Sequence, residues 1–180
     1  MSSGKPPRLE RVFQKYNPPL YFVTFCTARR RKILANEAVH RVLVEYGRRG
    51  EAHGVALGRY VIMPNHVHLF VRGTHEFRLS IWMRGLKRVV AAAVAGGRKV
   101  DLPMDAACPA AGDGRQLQRP VKTDSESSIW QRGFFDHLLR NSDSYSQKWQ
   151  YVEQNPVRAG LVSKTEDWPY AGEIVYIDRV

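Results

Sequence analysis

The run Tyr60-Val61-Ile62-Met63-Pro64-Asn65-His66-Val67-His68-Leu69-Phe70-Val71 constrains the fold of this chain more than any other stretch. Pro64-Asn65 is turn chemistry set between two apolar, β-branched runs, so the segment reads as two strands of a hairpin, the first reaching back to Val55. Alternate side chains of a strand share a face, which puts His66 and His68 together on one side and Val67, Leu69 and Val71 on the other. Two imidazoles on one sheet face suit a divalent metal ion. They equally suit a half-buried strand in which each ring has a hydrogen-bond partner, the commoner outcome for an isolated His-x-His.

Strand and helix signals alternate along the rest of the chain. Tyr21 to Thr27 is aromatic and β-branched and follows the breaker Asn17-Pro18-Pro19, which predicts a strand. Asn36 is a natural N-cap for a helix carrying Val39, Val42, Leu43 and Tyr46. Leu79, Met83, Leu86, Val90 and Ala93 keep helical spacing until Gly96-Gly97. Ile129-Trp130-Gln131 opens a further strand running through Phe134 and Phe135 to Leu138-Leu139. A last helix starts at Asn141 or Ser142 and stops at Asn155-Pro156, because the residue before proline is disfavoured in the helical region. Residues 98–128 are rich in Asp, Pro, Gly, Gln and Ser and follow neither period, which predicts a mobile insertion within one domain spanning 1–180. The order strand-helix-strand-strand-helix-strand is that of a ferredoxin-like (RRM-like) split βαβ sandwich. Such an α+β fold has an antiparallel sheet with two helices on one face, leaves the other face free for a site, and here adds a C-terminal helix.

Charge narrows the partners. The formal net charge is +11, and it is unevenly spread: residues 1–100 carry a net +14 and residues 101–180 a net −3. Basic clusters occur at Arg29-Arg30-Arg31-Lys32, at Arg48-Arg49, and at Arg84, Lys87 and Arg88, whose spacing places the last three on one side of a helix. This pattern favours a nucleic-acid backbone over an anionic membrane surface, since no amphipathic anchor accompanies it. No apolar run is long enough to span a membrane and the first residues lack the apolar core of a signal peptide, so the expected location is the cytoplasm, with the nucleoid. Cys26 and Cys108 have neither metal-site spacing nor a disulfide framework and are expected as free thiols. His40, His53 and His75 show no ligand spacing.

The last helix carries the remaining chemistry. Tyr145, Trp149 and Val152 form an apolar stripe that should pack on the sheet, whereas Tyr151 projects about 120° away from Tyr145. Asn155, four residues on, lies near the same side as Tyr151 and brings a carboxamide oxygen able to coordinate a hard metal. Without further context Tyr151 is an ordinary exposed aromatic and Asn155 a helix stop.

Four blocks taken in order resemble one family: Tyr21-Phe22-Val23-Thr24-Phe25, Met63-Pro64-Asn65-His66-Val67-His68, Trp130-Gln131-Arg132-Gly133-Phe134, and Tyr151-Val152-Glu153-Gln154-Asn155-Pro156-Val157-Arg158-Ala159-Gly160-Leu161-Val162. They look like the single-tyrosine transposases of the HUH nuclease superfamily, and within it the REP-associated tyrosine transposases. The resemblance implies a metal-dependent single-strand DNA endonuclease and strand transferase. Tyr151 would be its nucleophile, His66 and His68 its paired ligands for Mg²⁺ or Mn²⁺, and Asn155 a third, amide-type ligand, with Gln154 the alternative. It implies a phosphotyrosine intermediate that keeps the 5′-phosphate and releases a 3′-hydroxyl, on single-stranded DNA that forms repeat hairpins. Arg29, Arg30, Arg31, Lys32, Arg84, Lys87 and Arg88 are the expected DNA contacts. Asp136-His137 is similar to an acidic-histidine pair that follows the Trp-Gln block in this family. Tyr145 is the reserve nucleophile.

Two other readings stay open. An RNA-recognition type binding module would use Tyr21 and Tyr60 as exposed aromatics on the open sheet face. A domesticated relative would bind repeat DNA without moving it. Monomer and homodimer are both compatible with the chain.

Overall fold

The computed structural model describes residues 18–96, 128–139 and 142–177. The expected insertion lies outside these residues apart from Ser128, as does Cys108; Cys26 is a free thiol. The elements are β1 (Leu20–Cys26), α1 (Glu37–Glu51), β2 (Val55–Met63), β3 (His66–Gly73), α2 (Leu79–Val94), β4 (Phe135–Leu139), α3 (Ser142–Glu153), α4 (Asn155–Arg158) and β5 (Ala171–Glu173). They form an α+β fold around one five-stranded sheet in the order β4-β1-β3-β2-β5, each strand antiparallel to its neighbours. β1 and β3 occupy the centre because they are apolar on both faces, as a strand covered on both sides must be.

Local signals set the boundaries. Asn36 caps α1 by accepting the Val39 N–H at 3.0 Å. The hairpin between β2 and β3 turns at Pro64-Asn65, so that Met63 pairs with His66 and Val61 with His68. A bulge between Leu57 and Tyr60 on β2 shifts the alternation by one, which turns both of those side chains toward the helices. On that face Val23, Phe25, Ile62, Val67, Leu69 and Val71 meet Val39 and Leu43 of α1 and Trp82, Met83, Leu86 and Val90 of α2.

The second face is not left open. Leu20, Phe22, Val61, Met63 and Phe70 on the sheet pack with Tyr145 and Val152 of α3, with Leu139 and with Ile177, and Trp149 and Trp168 border them. Phe70 is the hinge of this contact, its ring 4.6 Å from that of Tyr145 and 5.2 Å from that of Phe22. The Tyr145-Trp149-Val152 stripe therefore docks as its spacing predicts, and α3 lies over the face that carries His66 and His68.

Three expectations need correction. The strand expected from Ile129 begins only at Phe135: Gly133 takes a left-handed φ of 77° and Trp130 makes an isolated bridge to Thr27, so the chain turns before it pairs with β1. The last helix does not stop at Asn155-Pro156. It breaks at Gln154 and restarts as α4 with Pro156 in the first turn, where a missing N–H costs no intrahelical bond. Tyr21 and Tyr60 are buried under the helices rather than exposed on an open face, which removes the stacking surface an RNA-recognition module would need. Strand β5, three residues pairing Ala171 with Val61, is too short to leave a periodic signal.

Phe70→Ala is expected to destabilise the protein by about 3–5 kcal/mol, the range for emptying a buried aromatic site, and to release α3 before the sheet. Asn36→Ala should cost about 1 kcal/mol. Denaturant unfolding of both variants checks the ranking; equal losses would place the weight of the fold elsewhere.

Candidate active site

The two histidines project from β3 on the face covered by α3, their ring centroids 4.7 Å apart at an interplanar angle of 84°. Each is held by a neighbour through Nδ1: His68 to the Thr24 hydroxyl at 2.7 Å, His66 to the Asn65 carboxamide oxygen at 2.6 Å. A carboxamide oxygen only accepts, so the His66 proton sits on Nδ1 and the Nε2 lone pair is left for another partner. The Thr24 hydroxyl can accept in the same way. Thr24 is in cross-strand register with His68, which is why the single polar side chain in the middle of β1 meets the imidazole. Phe22 stacks on His68 with a centroid distance of 5.5 Å and an interplanar angle of 15°.

This packing keeps both rings neutral. Burial, helped by the Arg30 charge, pushes the His66 pKa down to about 4. Burial, then His66, Arg158 and Lys148, push that of His68 down to about 3. Neutral rings with oriented Nδ1 atoms are the form in which imidazole ligates a metal, and the oxygen neighbours are the kind of support that metal-binding histidines use. Among the described residues no group of three or more His, Cys, Asp or Glu side chains could complete a shell. Carboxamide or solvent oxygens are then the donors that would suit a hard ion beside the pair.

Tyr151 and Asn155 come together at the end of α3. Tyr151 is 62% exposed whereas Tyr145, one percent exposed, is locked beneath the helix. Arg158 joins the two candidates: its guanidinium lies over the Tyr151 ring, 4.0 Å from the centroid, and its Nη2 donates to the Tyr151 carbonyl at 2.6 Å and to the Asn155 carboxamide oxygen. The Asn155 oxygen is thus engaged by Arg158. Gln154, one step round, is exposed. Lys148 lies over the Phe22 ring at 5.6 Å and acts on His68 electrostatically, as Arg158 does.

The basic clusters divide. Arg29, Arg30, Arg31 and Lys32 are exposed just beyond β1, with Arg29 and Arg30 at left-handed φ values of 56° and 54° and the Arg30 charge felt by His66. Arg31 donates to the Ser128 carbonyl at 3.0 Å. Arg84 and Arg88 are exposed on α2. Lys87 between them turns inward and bonds the carbonyls of Gln131 at 3.2 Å and Gly133 at 2.9 Å, while Trp130 donates its indole N–H to the Lys87 carbonyl at 2.8 Å. Its ammonium holds the Trp130-Gln131-Arg132-Gly133 block against α2. On β4, His137 stands in register with Phe22 and is exposed on the histidine face, whereas Asp136 pairs with Val23 and belongs to the helix-covered face.

Sequence reasoning missed the supporting residues Thr24, Asn65, Lys148 and Arg158. Thr24 alone left a trace, as a polar residue within an apolar strand; the others depend on contacts across elements.

Comparison with known proteins shows what the chain is similar to. The family model described as "Transposase IS200 like" matches residues 18–97, the stretch that builds β1 through α2 and carries both histidines. Over that stretch the chain is similar to this family. A Haemophilus influenzae protein named "Putative REP-associated tyrosine transposase" is 28% identical over 153 residues, covering 84% of this chain and 78% of the relative. An Escherichia coli REP-associated tyrosine transposase is 39% identical over 44 residues, 24% of this chain and 27% of that protein. A solved REP-associated tyrosine transposase, bound to a REP hairpin, superposes with a TM-score of 0.61 at 17% identity, covering 99% of this chain and 96% of that one, and so shares the fold.

The histidine environment predicts a pH dependence of stability. In the unfolded chain both rings take up protons near pH 6.5, whereas in the folded protein they do so only at about 4 and about 3. As the pH falls below about 6.5 the unfolded state binds more protons, so stability declines until the folded rings titrate; above it, this pair adds no slope. Imidazole resonances of His66 and His68 should stay in the neutral form at pH 5.5 while the denaturation midpoint drops between pH 7 and pH 5. Titration of either ring near pH 6.5 in the native protein would contradict the assignment.

Proposed function

We propose that this protein is a metal-dependent single-strand DNA endonuclease and strand transferase, a tyrosine transposase acting on hairpin-forming repeat DNA. What carries this reading is the pairing on one sheet face of two neutral, oriented imidazoles with an exposed tyrosine on the helix docked over that face. The names of the relatives, and the REP hairpin held by the structural neighbour, support the same substrate.

In the proposed reaction Tyr151 Oη attacks the phosphorus of one strand. A phosphorus–oxygen bond forms to tyrosine, the bond to the 3′ oxygen breaks, and the tyrosine proton passes to the departing oxygen directly or through water. One end leaves as a 3′-hydroxyl, and the 5′-phosphate stays on Tyr151 with its bond energy conserved, so the reverse attack by a 3′-hydroxyl rejoins strands. Mg²⁺ or Mn²⁺ held by His66 and His68, with Asn155 or Gln154 as further ligand, would polarise the phosphoryl oxygens and offset developing charge. Thr24 and Asn65 keep the ligating rings turned, and Phe22 restricts water around His68. The Arg29-Arg30-Arg31-Lys32 turn beside His66, with Arg84 and Arg88, supplies cations for the phosphate backbone. A tyrosine borne on a helix reaches a phosphate only where the strand is free of its partner, which explains a preference for an unpaired flank beside a hairpin.

Tyr151→Phe should abolish the denaturation-resistant protein–DNA adduct while changing DNA affinity by less than about twofold, since only an exposed hydroxyl is lost. Tyr145→Phe should still cleave. His66→Ala and His68→Ala should each remove cleavage and metal affinity, Asn155→Ala should be milder, and chelation of divalent ions should stop the wild-type reaction. An adduct formed by the Tyr151→Phe protein would overturn the nucleophile, and full activity in chelator the metal.

A further inference from the structure

Among the described residues Arg158 is the one charged side chain tied to both Tyr151 and Asn155, and the reaction as described leaves it without a task. Its bonds to the Tyr151 carbonyl and the Asn155 carboxamide both come from Nη2, so the N–H groups of Nη1 and Nε lie outside them. Both acceptors are neutral oxygens, and among the described residues Arg158 joins no ion pair, so its positive charge is not compensated by a carboxylate. The side chain is exposed, yet its field reaches His68 through the buried face. Its position over the Tyr151 ring, 4.0 Å from the centroid, keeps the remaining N–H groups beside the phenol.

We propose that Arg158 binds the phosphate that Tyr151 attacks, Nη2 anchoring the tyrosine turn while an N–H of Nη1 or Nε donates to a phosphoryl oxygen. The inference rests on Tyr151 as nucleophile and gives the site a cation for its target that is not a metal. A guanidinium stays charged and holds its donors in one rigid plane, so the N–H groups that Nη2 leaves free meet a phosphoryl oxygen in a fixed direction, as a rotating ammonium does not. A donor already fixed by stacking and by two hydrogen bonds needs little reorganisation as charge builds on the phosphoryl oxygens. The stack over Tyr151 would bring nucleophile and phosphate together, so that the same residue orients both.

The test measures binding in the absence of chemistry. The Tyr151→Phe protein, which keeps the ring and its stack, is titrated with a hairpin-forming single strand in which one phosphate at a time is replaced by a neutral methylphosphonate. With Arg158 present, affinity should fall about tenfold at a single position, and that position should be the bond cleaved when Tyr151 is intact. With Arg158→Ala the penalty at that position should shrink to less than about twofold, and Arg158→Lys, which keeps the charge but not the planar, anchored donors, should fall between. Thermal unfolding of the three proteins should coincide because the side chain is exposed. An undiminished penalty in Arg158→Ala, an equal loss at every phosphate, or no sensitive position at all would overturn the contact. A single Arg158-dependent position in a protein whose wild type forms no adduct would instead refute Tyr151 as nucleophile and leave the phosphate contact standing.

Discussion

Pairing of β1 with β3 at the centre of the sheet is the constraint on which the rest depends. In that register Thr24 faces His68 and Phe22 faces Phe70, while Val23 and Phe25 turn with Val67 and Leu69 into the core beneath α1 and α2. A slip of one residue would carry the histidines into that apolar core and turn Val67, Leu69 and Val71 out of it, an exchange the hydrophobic effect opposes. The site is therefore held by the same burial that holds the fold. Its polar atoms add direction: Thr24 and Asn65 orient the rings, and Phe22 stacks on that of His68.

The second face joins the two halves of the candidate site. Apolar residues on the outer side of β1, β2 and β3 need a cover, and α3 supplies it through Tyr145 and Val152. The docked stripe leaves Tyr151 on the free side of the helix, and the break at Gln154 followed by α4 brings Arg158 back over it. The helix that completes the core thus carries the exposed tyrosine proposed as nucleophile. Neutral imidazoles in a basic protein follow from the same arrangement, because burial and the nearby Arg30, Lys148 and Arg158 charges all disfavour a further proton.

How much of this was legible depended on whether the signal was local. The hairpin, the Asn36 cap and the period of α2 are written in neighbouring residues, and each appears where the spacing predicts. The exposure of Tyr151 against the burial of Tyr145 also followed from helical angles alone. The start of β4 did not, because Trp130 and Phe135 look alike in an apolar run and only the Gly133 turn and the Lys87 clamp separate them. Pro156 read as a stop, although a proline is as much at home in a first turn. Lys87 looked like its neighbours Arg84 and Arg88, yet its place about 60° round the helix from Arg84 aims it at two carbonyls instead of solvent. The roles of Thr24, Lys148 and Arg158 exist only once strands and helices have met.

Locating the covalent bond to DNA tests the central claim most directly. Trypsin should release Trp149 to Arg158 as one peptide in which Tyr151 is the only tyrosine, with Tyr145 in the peptide before it. After reaction with single-stranded DNA and digestion of both polymers, mass spectrometry should find the nucleotide phosphate on the Trp149–Arg158 peptide, attached at Tyr151. A phosphate found on the peptide that holds Tyr145, or on any residue away from α3, would contradict the site described.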